Sequence, residues 1–416
     1  MVRRLNRTRY SLFDIRYYPM PPRRRTRPVT VGTVTIGGDA PVALQTMTAC
    51  HTHEIDTCVA EIRKLAAAGA DLVRVAVPNK EDTAALREII PASPVPIIAD
   101  VHFHFERALE AIEAGVHKIR LNPGNIQDRP KVERVIAACR ERGIPIRVGV
   151  NEGSIVERRD KDLRASEKAA LETDYRGTLV RLMLDKLAEY LRIFEDNDFH
   201  DVVISAKSID PRLVIDVYTA ISRRWDYPLH LGVTHAGPPE TGRIRSIAAL
   251  GTLLANGIGD TIRISYAADP VHEVEDGKEL LCSLGLRART EPELIACPTC
   301  GRIEVDLFKL VADVKRTIMQ EIKLPMKVAV MGCVVNGPGE CEGADVAIFA
   351  GKARGIIYVQ GEQKQTVTED RMLDALLHEC RELAARVRRG EARLIGTPVD
   401  VEAPGNHGLS AGCNSE

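Results

Sequence analysis

One unit recurs eight times along the chain: a short apolar run followed by a segment with helical periodicity. The apolar runs occupy residues 42–48, 72–78, 95–103, 117–125, 144–151, 201–208, 229–237 and 260–267. The intervening segments, such as 54–68, 131–142 and 211–223, read as amphipathic helices. Eight strand–helix units in succession predict a (β/α)8 barrel of the TIM type. An open doubly wound sheet is disfavoured because VALQTMT, the first run, has no glycine-rich dinucleotide turn after it.

The predicted strands are charged on the face that should point into the barrel. Alternate residues of a strand share a face, and one face is apolar, as at Val73, Val75 and Val77. The opposite face carries Arg74, Asp100, His102, Lys118, Arg120, Arg147, Asn151, Lys207, His230, Arg263 and Ser265. Because Asp100 is the sole acid that we place on this face, the cations need an anionic ligand. A phosphorylated or diphosphorylated small molecule bound by arginine is the expected solution, although His102 and His230 taken singly could be ordinary interior histidines.

Two cysteine-containing loops beyond the eighth strand predict a metal centre. ACPTC supplies Cys297 and Cys300, and MGCVVNGPGEC supplies Cys333, Glu340 and Cys341. Four thiolates at Cys297, Cys300, Cys333 and Cys341 would suit structural zinc. The alternative ligand set is Cys297, Cys300 and Cys333 with Glu340. Spacing alone does not decide between zinc and an iron–sulfur cluster.

Composition divides the chain and excludes several classes of protein. We expect a basic arm over 1–27, a barrel over 28–288, a metal domain over 289–404 and a flexible tail over 405–416. The arm has nine arginines and one acid, and a solvated or substrate-side position is its ordinary interpretation. A net charge of −1 and 4% aromatic residues argue against nucleic acid as a partner. There is no apolar run of membrane-spanning length and no secretory signal, so we expect a cytoplasmic protein.

The chain resembles the 4-hydroxy-3-methylbut-2-enyl diphosphate synthase family, called IspG or GcpE. The motifs that carry the resemblance are ALQTMT, ADVHFH, KIRLNPGN, RVGVNEGS, ISAKS, HLGVT, GIGDTIRIS, ACPTC and GCVVNGPGE, in this order. The resemblance implies a barrel joined to a small α+β domain that is similar to part of the sulfite and nitrite reductases. It further implies a 4Fe–4S cluster held by Cys297, Cys300, Cys333 and Glu340. The short connection from Ala267 to Cys297 is typical of the two-domain bacterial form.

The reaction that this resemblance implies is the reductive opening and dehydration of 2-C-methyl-D-erythritol 2,4-cyclodiphosphate. Two electrons would come through the cluster from ferredoxin or flavodoxin. Substrate binding is carried over to Arg74, Asp100, His102, Arg120, Arg147, Asn151, Lys207, Arg263 and Ser265, and a catalytic role to Glu340 and Asn336. A carboxylate is a harder and more exchangeable iron ligand than a thiolate, which suits a catalytic Glu340. The resemblance also implies a homodimer in which the cluster domain of one subunit caps the barrel of its partner.

His235 departs from the family pattern, which usually reads HLGVTEAG where this chain has HLGVTHAG. Imidazole could replace the acid as a proton donor, since histidine titrates near neutral pH. The position could equally tune the pocket without transferring a proton. The sequence leaves two other functions open. One is a phosphate-binding barrel enzyme with structural zinc, and the other is a protein that binds nucleic acid.

Overall fold

The computed structural model describes residues 21–101, 104–121, 128–156, 165–334 and 343–395. The chain divides into two compact units, Met1–Arg287 and Ala288–Glu416. Each unit has its own sheet and its own apolar core.

The first unit begins with an antiparallel hairpin and continues into a parallel barrel. The hairpin strands are β1 (Val29–Val31) and β2 (Val34–Ile36). The barrel strands are β3 (Ala43–Met47), β4 (Leu72–Ala76), β5 (Ile97–Val101), β6 (Lys118–Leu121), β7 (Ile146–Asn151), β8 (Val202–Lys207), β9 (His230–Leu231) and β10 (Thr261–Ile262). Their spatial order is β8-β7-β6-β5-β4-β3-β10-β9, and a parallel bridge between Ile204 and Leu229 joins β8 to the start of β9. The predicted eight-stranded barrel is confirmed.

Helices follow the barrel strands and cover their outer faces. They are α1 (Ile55–Ala68), α2 (Lys80–Ala92), α3 (Phe105–Glu113), α4 (Arg129–Arg142), α5 (Glu152–Val156), α6 (Ala165–Thr173), α7 (Tyr175–Asp196), α8 (Pro211–Arg224), α9 (Pro239–Ala255) and α10 (Pro270–Ser283). Helices α1 and α4 end at glycines in the left-handed conformation, Gly69 with φ +116° and Gly143 with φ +64°. The outward residues of the strands, such as Val73 and Ile119, pack with these helices in one large core.

The hairpin closes the end of the barrel at which the strands begin. Its buried residues Val29, Val31 and Ile36 form an apolar cluster with Ala43, Leu72, Ile98 and Val203. These last four residues lie at or next to the start of β3, β4, β5 and β8, on the inward face. The lowest layer of the interior is therefore apolar, and the polar inward residues all lie above it, toward the ends of the strands.

The basic N-terminal segment is docked where it is described, which corrects the expectation of a solvated or substrate-side arm for residues 21–27. Arg23 donates to Asp260 (Nη2 to Oδ1, 3.0 Å), and Arg24 donates to the carbonyl oxygens of Trp225 and Tyr227. Arg27 forms an ion pair with Asp226 at 2.8 Å. These partners precede β9 and β10, so the segment contacts the hairpin end of the barrel and not the end at which the strands finish. A buried carboxylate, Asp260 at 2% exposure, gives the arginines a fixed position.

In its described residues, the second unit has a five-stranded mixed sheet and two α-helices. Its elements are β11 (Glu293–Ala296), α11 (Leu307–Glu321), β12 (Lys327–Met331), β13 (Val346–Gly351), β14 (Arg354–Val359), β15 (Glu362–Thr368) and α12 (Met372–Arg388). Strands β11, β12 and β13 are parallel, whereas β14 and β15 are added antiparallel. Helices α11 and α12 share one core with the sheet, including Val314, Ile318, Val328 and Leu376. This is the small α+β domain that the family resemblance implies. In neither unit is any described helix both long and apolar enough to cross a bilayer.

Replacing Asp260 with asparagine should lower the free energy of unfolding of the barrel unit by about 2–4 kcal/mol. The change leaves Arg23 and Arg24 partly buried without their carboxylate. Fluorescence of Trp225, the one tryptophan of the chain, reports this unit during urea unfolding. Asp226→Asn is the matched control, because its pair with Arg27 is exposed and should contribute less than about 1 kcal/mol. Equal effects of the two substitutions would contradict the docking of the N-terminal segment.

Candidate active site

The five cations that the resemblance assigns to substrate binding all lie in the barrel interior, toward the ends of the strands. Arg74, Arg120 and Lys207 are each 8% exposed, and Arg147 is 2% exposed. Arg263 follows β10 by one residue, and its side chain is 16% exposed. Residues Arg120 and Arg147 are register partners on β6 and β7. We call these five residues the cation ring.

Asp100 is the predicted counter-ion, and it contacts two members of the cation ring. Its Oδ1 accepts a hydrogen bond from Arg120 Nη1 at 3.0 Å, and its Oδ2 lies 3.5 Å from Arg74 Nε. Burial lowers the pKa of Arg74 to about 9, with Asp100 opposing and the charges of Arg263 and Arg120 adding to the shift. Burial likewise lowers the pKa of Arg147 and of Lys207 well below their usual ranges. An anion in the ring would relieve this electrostatic cost.

Glu273 is a second buried acid that the sequence reasoning missed. It comes from α10 and not from a strand, and it is 4% exposed. Its Oε1 accepts from the backbone N–H of Tyr266 at 3.0 Å, and its Oε2 lies 3.7 Å from Arg263 Nη2. Burial raises the pKa of Glu273, while Arg263 opposes the shift. The available signal was a glutamate directly before an apolar residue, Val274, in the first turn of an amphipathic helix.

Met47 also belongs to the site and was not predicted. Its Sδ lies 3.0 Å from Arg74 Nε, 2.9 Å from Arg74 Nη2 and 3.7 Å from Arg263 Nη1. A thioether sulfur is a weak acceptor and carries no charge. Met47 therefore helps to position the two guanidinium groups but, unlike Asp100 and Glu273, does not offset their charge.

Two inward-facing glycines make room for the polar side chains. Gly149 on β7 lies against the hydroxyl of Ser205, and a Cβ added there would collide with that oxygen. A Cβ on Gly232 would lie 2.6 Å from Lys207 Nζ and 3.0 Å from the carbonyl oxygen of Arg263. The position of the Lys207 ammonium group therefore depends on the absence of a side chain at residue 232.

The remaining predicted contacts lie at the rim of the barrel. Asn151 ends β7 beside Lys207 in register, and Ser265 donates from Oγ to the carbonyl oxygen of Val233 at 3.2 Å. His235 is exposed in the loop between β9 and α9, with φ +52° in the left-handed region. A residue other than glycine in this region is uncommon, and such residues are frequent at functional sites.

His102, Asn336 and Glu340, like Cys341, lie outside the described residues.

Three predicted thiol ligands lie in the second unit, near the ends of two neighbouring parallel strands. Cys297 directly follows β11, and Cys333 follows β12 by two residues. The N–H of Gly332 donates a hydrogen bond to Cys297 Sγ at 3.2 Å. Cys300 is exposed. Within the described ranges, no three ligand-type side chains already stand in a metal-binding arrangement.

Comparison with known proteins gives the family. Residues 26–278 match the GcpE TIM-barrel domain, and residues 293–382 match the GcpE protein C-terminal domain. The chain belongs to the GcpE family. All five members of the cation ring lie in the first matched segment, and Cys297, Cys300, Cys333 and Glu340 lie in the second.

Curated relatives match this GcpE chain over most of its length and over nearly all of their own. The 4-hydroxy-3-methylbut-2-en-1-yl diphosphate synthase (flavodoxin) of Symbiobacterium thermophilum is 46% identical over 366 residues, which are 88% of this chain and 95% of the relative. The protein of the same name from Geobacillus thermodenitrificans is 44% identical over 382 residues, which are 91% of this chain and 98% of the relative. The protein of that name from Macrococcus caseolyticus is 45% identical, with 87% of this chain and 94% of the relative covered.

Gly232→Ala should weaken the binding of inorganic pyrophosphate to this GcpE protein by roughly tenfold. The new methyl group would displace the Lys207 ammonium, and a charge-assisted contact contributes about 1.5–3 kcal/mol. Isothermal titration calorimetry with pyrophosphate measures the change. Gly251→Ala is the control, because its Cβ would meet only Leu280 Cδ1 at 3.7 Å. Unchanged affinity in Gly232→Ala would show that Lys207 does not need the space at residue 232.

Proposed function

We propose that this chain is a 4-hydroxy-3-methylbut-2-enyl diphosphate synthase. Its substrate is 2-C-methyl-D-erythritol 2,4-cyclodiphosphate, which it opens reductively and dehydrates. The observation that carries the proposal is the buried cation ring in a barrel of the GcpE family. The identity of 46% with a curated enzyme of that name, over nearly the full length of both chains, supports it.

The charges in the barrel suit a diphosphate whose negative charge grows during the reaction. The interior carries Arg74, Lys118, Arg120, Arg147, Lys207 and Arg263, and the carboxylates that contact these cations in the described residues are Asp100 and Glu273. A cyclic diphosphate has one ionised oxygen on each phosphorus atom. Cleavage of one of its carbon–oxygen bonds releases a further phosphoryl oxygen with negative charge. The ring cations would bind this developing charge more strongly than the ground state, which favours cleavage.

The stoichiometry fixes what else the site must supply. Conversion of the dianionic substrate to the trianionic product consumes two electrons and one proton and releases one water molecule. The departing hydroxyl needs a proton to leave as water, so a proton donor is required beside the ring. His235 lies at the rim, after β9, and we assign it this role in place of the family's usual glutamate. We assign Asn336 to substrate contact near the metal centre.

The electrons require a redox centre, and the ligand types in the second unit suit a 4Fe–4S cluster. We propose Cys297, Cys300, Cys333 and Glu340 as its ligands. The two thiols next to parallel strand ends and the N–H donated to Cys297 Sγ fit thiolate ligation. Such a cluster supplies electrons and a Lewis-acidic iron when it is bound. Glu340 is a harder ligand than the three cysteines, so its position is the one suited to exchange.

We propose flavodoxin as the electron donor, since the curated relatives carry it in their names, and ferredoxin as the alternative. The protein would work as a cytoplasmic homodimer, with the cluster domain of one subunit serving the barrel of its partner. Neither a nucleic acid nor a membrane is a proposed partner.

An anaerobic turnover assay tests the function directly. Reduced flavodoxin should convert the cyclodiphosphate to 4-hydroxy-3-methylbut-2-enyl diphosphate, with two electrons consumed for each product molecule. Activity that needs no reductant, in a colourless protein with bound zinc, would support a different phosphate-binding barrel enzyme instead.

Two substitutions separate the binding of the cluster from its use. Cys333→Ser should remove most of the iron and all turnover, because a thiolate ligand is lost. Glu340→Cys should retain about four irons per chain but depress kcat by at least about 100-fold, since a thiolate exchanges less readily. Iron and sulfide analysis with the turnover assay measures both. Cys282→Ser in the barrel unit is the control, and near-normal turnover of Glu340→Cys would refute the exchange role.

A complementation experiment tests the proposed dimer. Arg147→Met and Cys333→Ser should each be inactive alone, the first through its barrel and the second through its cluster domain. If each cluster domain serves the partner's barrel, co-expression should restore about one quarter of wild-type activity, because half of the dimers are mixed and each contains one intact site. No recovery in mixed dimers isolated with two affinity tags would place both parts of a site in one subunit.

A further inference from the structure

Below the cation ring lies a second set of buried polar side chains that the proposed reaction does not use. Each precedes a ring-level residue by two positions on its strand and therefore points to the same interior, one layer lower. Gln45 precedes Met47, Lys118 precedes Arg120, His230 precedes Gly232, and Thr261 precedes Arg263. We call Gln45, Lys118, His230 and Thr261, together with the Nη1 end of Arg147, the inner cage.

The inner cage is closed to solvent. Gln45 is 1% exposed, and Lys118, His230 and Thr261 are fully buried. Directly beneath it lies the apolar layer of Ala43, Leu72, Ile98 and Val203, which the hairpin covers with Val29, Val31 and Ile36. The cage is thus a polar layer between this apolar floor and the cation ring above.

The polar atoms of the inner cage have no hydrogen-bond partners in the described part of the chain. These atoms are both amide atoms of Gln45, Lys118 Nζ, Arg147 Nη1, both ring nitrogens of His230, and Thr261 Oγ1. A buried polar group without a partner costs about 1–3 kcal/mol, and a charged one costs more. So many orphaned atoms in one layer indicate that their hydrogen-bond partners are not among the described side chains.

The chemistry of the inner cage favours an anion. Its groups are mainly donors: an ammonium, a guanidinium, an amide NH2, an imidazole N–H and a hydroxyl. It contains no carboxylate, since Asp100 contacts Arg120 and Arg74 in the layer above and Glu273 contacts Arg263. The cage groups lie within electrostatic reach of one another. The positive charge of Arg147 lowers the pKa of Lys118 and of His230, in each case after burial as the larger cause.

Deprotonation of Lys118 alone would not satisfy the inner cage. The intrinsic pKa of a guanidinium is so high that the group stays charged even where burial lowers that pKa. Arg147 would therefore still present an unpaired buried charge at Nη1. Water can satisfy donors, but it does not neutralise them. A small monovalent anion would accept hydrogen bonds from both Lys118 and Arg147 and would offset one of their two positive charges.

We propose that the inner cage is a resident binding site for a small inorganic anion such as chloride, separate from the substrate's phosphates. The anion accepts hydrogen bonds from Lys118, Arg147 and the neighbouring amide and hydroxyl donors. Its negative charge lowers the electrostatic free energy of having the cation ring directly above a second layer of positive charge. The site is a property of the folded barrel and does not depend on the identity of the reaction above it.

The experiment compares thermal unfolding of the holoenzyme in sodium chloride and in sodium gluconate at equal ionic strength, followed by Trp225 fluorescence. Raising chloride from zero to about 0.2 M should increase the Tm of the wild type by roughly 3–6 °C. Lys118→Met, which keeps the length of the side chain without its charge, should abolish the increase. Lys207→Met is the matched control, because it removes a cation from the ring and leaves the cage intact.

A chloride effect that is lost in Lys207→Met and kept in Lys118→Met would place the anion in the cation ring and overturn the proposal. Bromide-soaked crystals of the wild type provide a second measurement that does not depend on the folding of a variant. One anomalous peak should lie within hydrogen-bond reach of Lys118 Nζ and Arg147 Nη1, and it should persist with substrate bound. Displacement of bromide by the substrate would assign the cage to the diphosphate, and a site without bromide and without a chloride effect would mean that it holds water.

Discussion

Excess positive charge inside the barrel is the constraint on which the rest of the structure depends. Six cations face two carboxylates among the described residues, in an interior where branched apolar side chains are the rule. Such an arrangement is stable only if the remainder of the unit is strongly held together. The outer faces of the strands, as at Val75, Ile119 and Val148, provide this through a continuous core with the helices. Removing the fixed cations from the interior would relieve the electrostatic cost but also remove the binding site.

The two ends of the barrel have different roles, one structural and the other functional. At one end, the hairpin seals an apolar layer, and Arg23 and Arg24 fasten the preceding segment to Asp260. At the other end, the inward residues become cationic, and Gly232 leaves space for the Lys207 ammonium. Met47 orients two guanidinium groups without neutralising them. The site is therefore built to keep its charge for a ligand, which is the property that a diphosphate-binding enzyme requires.

Sequence periodicity predicted the eight strands and the residues that point inward, because strand alternation and burial are local and regular. It also placed the cysteine pair at 297 and 300 and the loop after residue 331 in one small domain, where β11 and β12 now bring the two segments together. Glu273 was missed because it reaches the interior from a helix, and helical position does not tell which strand end a side chain approaches. The docking of Arg23 and Arg24 was missed for a similar reason: Asp260, Trp225 and Tyr227, which accept their hydrogen bonds, lie more than 200 positions away along the chain. Long-range contacts of this kind leave no periodic signal.

The central claim is that the buried cations exist to hold phosphate groups, and ligand-dependent stability tests it most directly. The measurement is the Tm of the barrel unit, followed by Trp225 fluorescence in gluconate buffer, as inorganic pyrophosphate is added. Pyrophosphate should raise the Tm progressively, by roughly 5 °C or more at saturating concentrations, because it binds the folded barrel and not the unfolded chain. An unchanged Tm across millimolar pyrophosphate would show that the cation ring is balanced from within and would contradict the account.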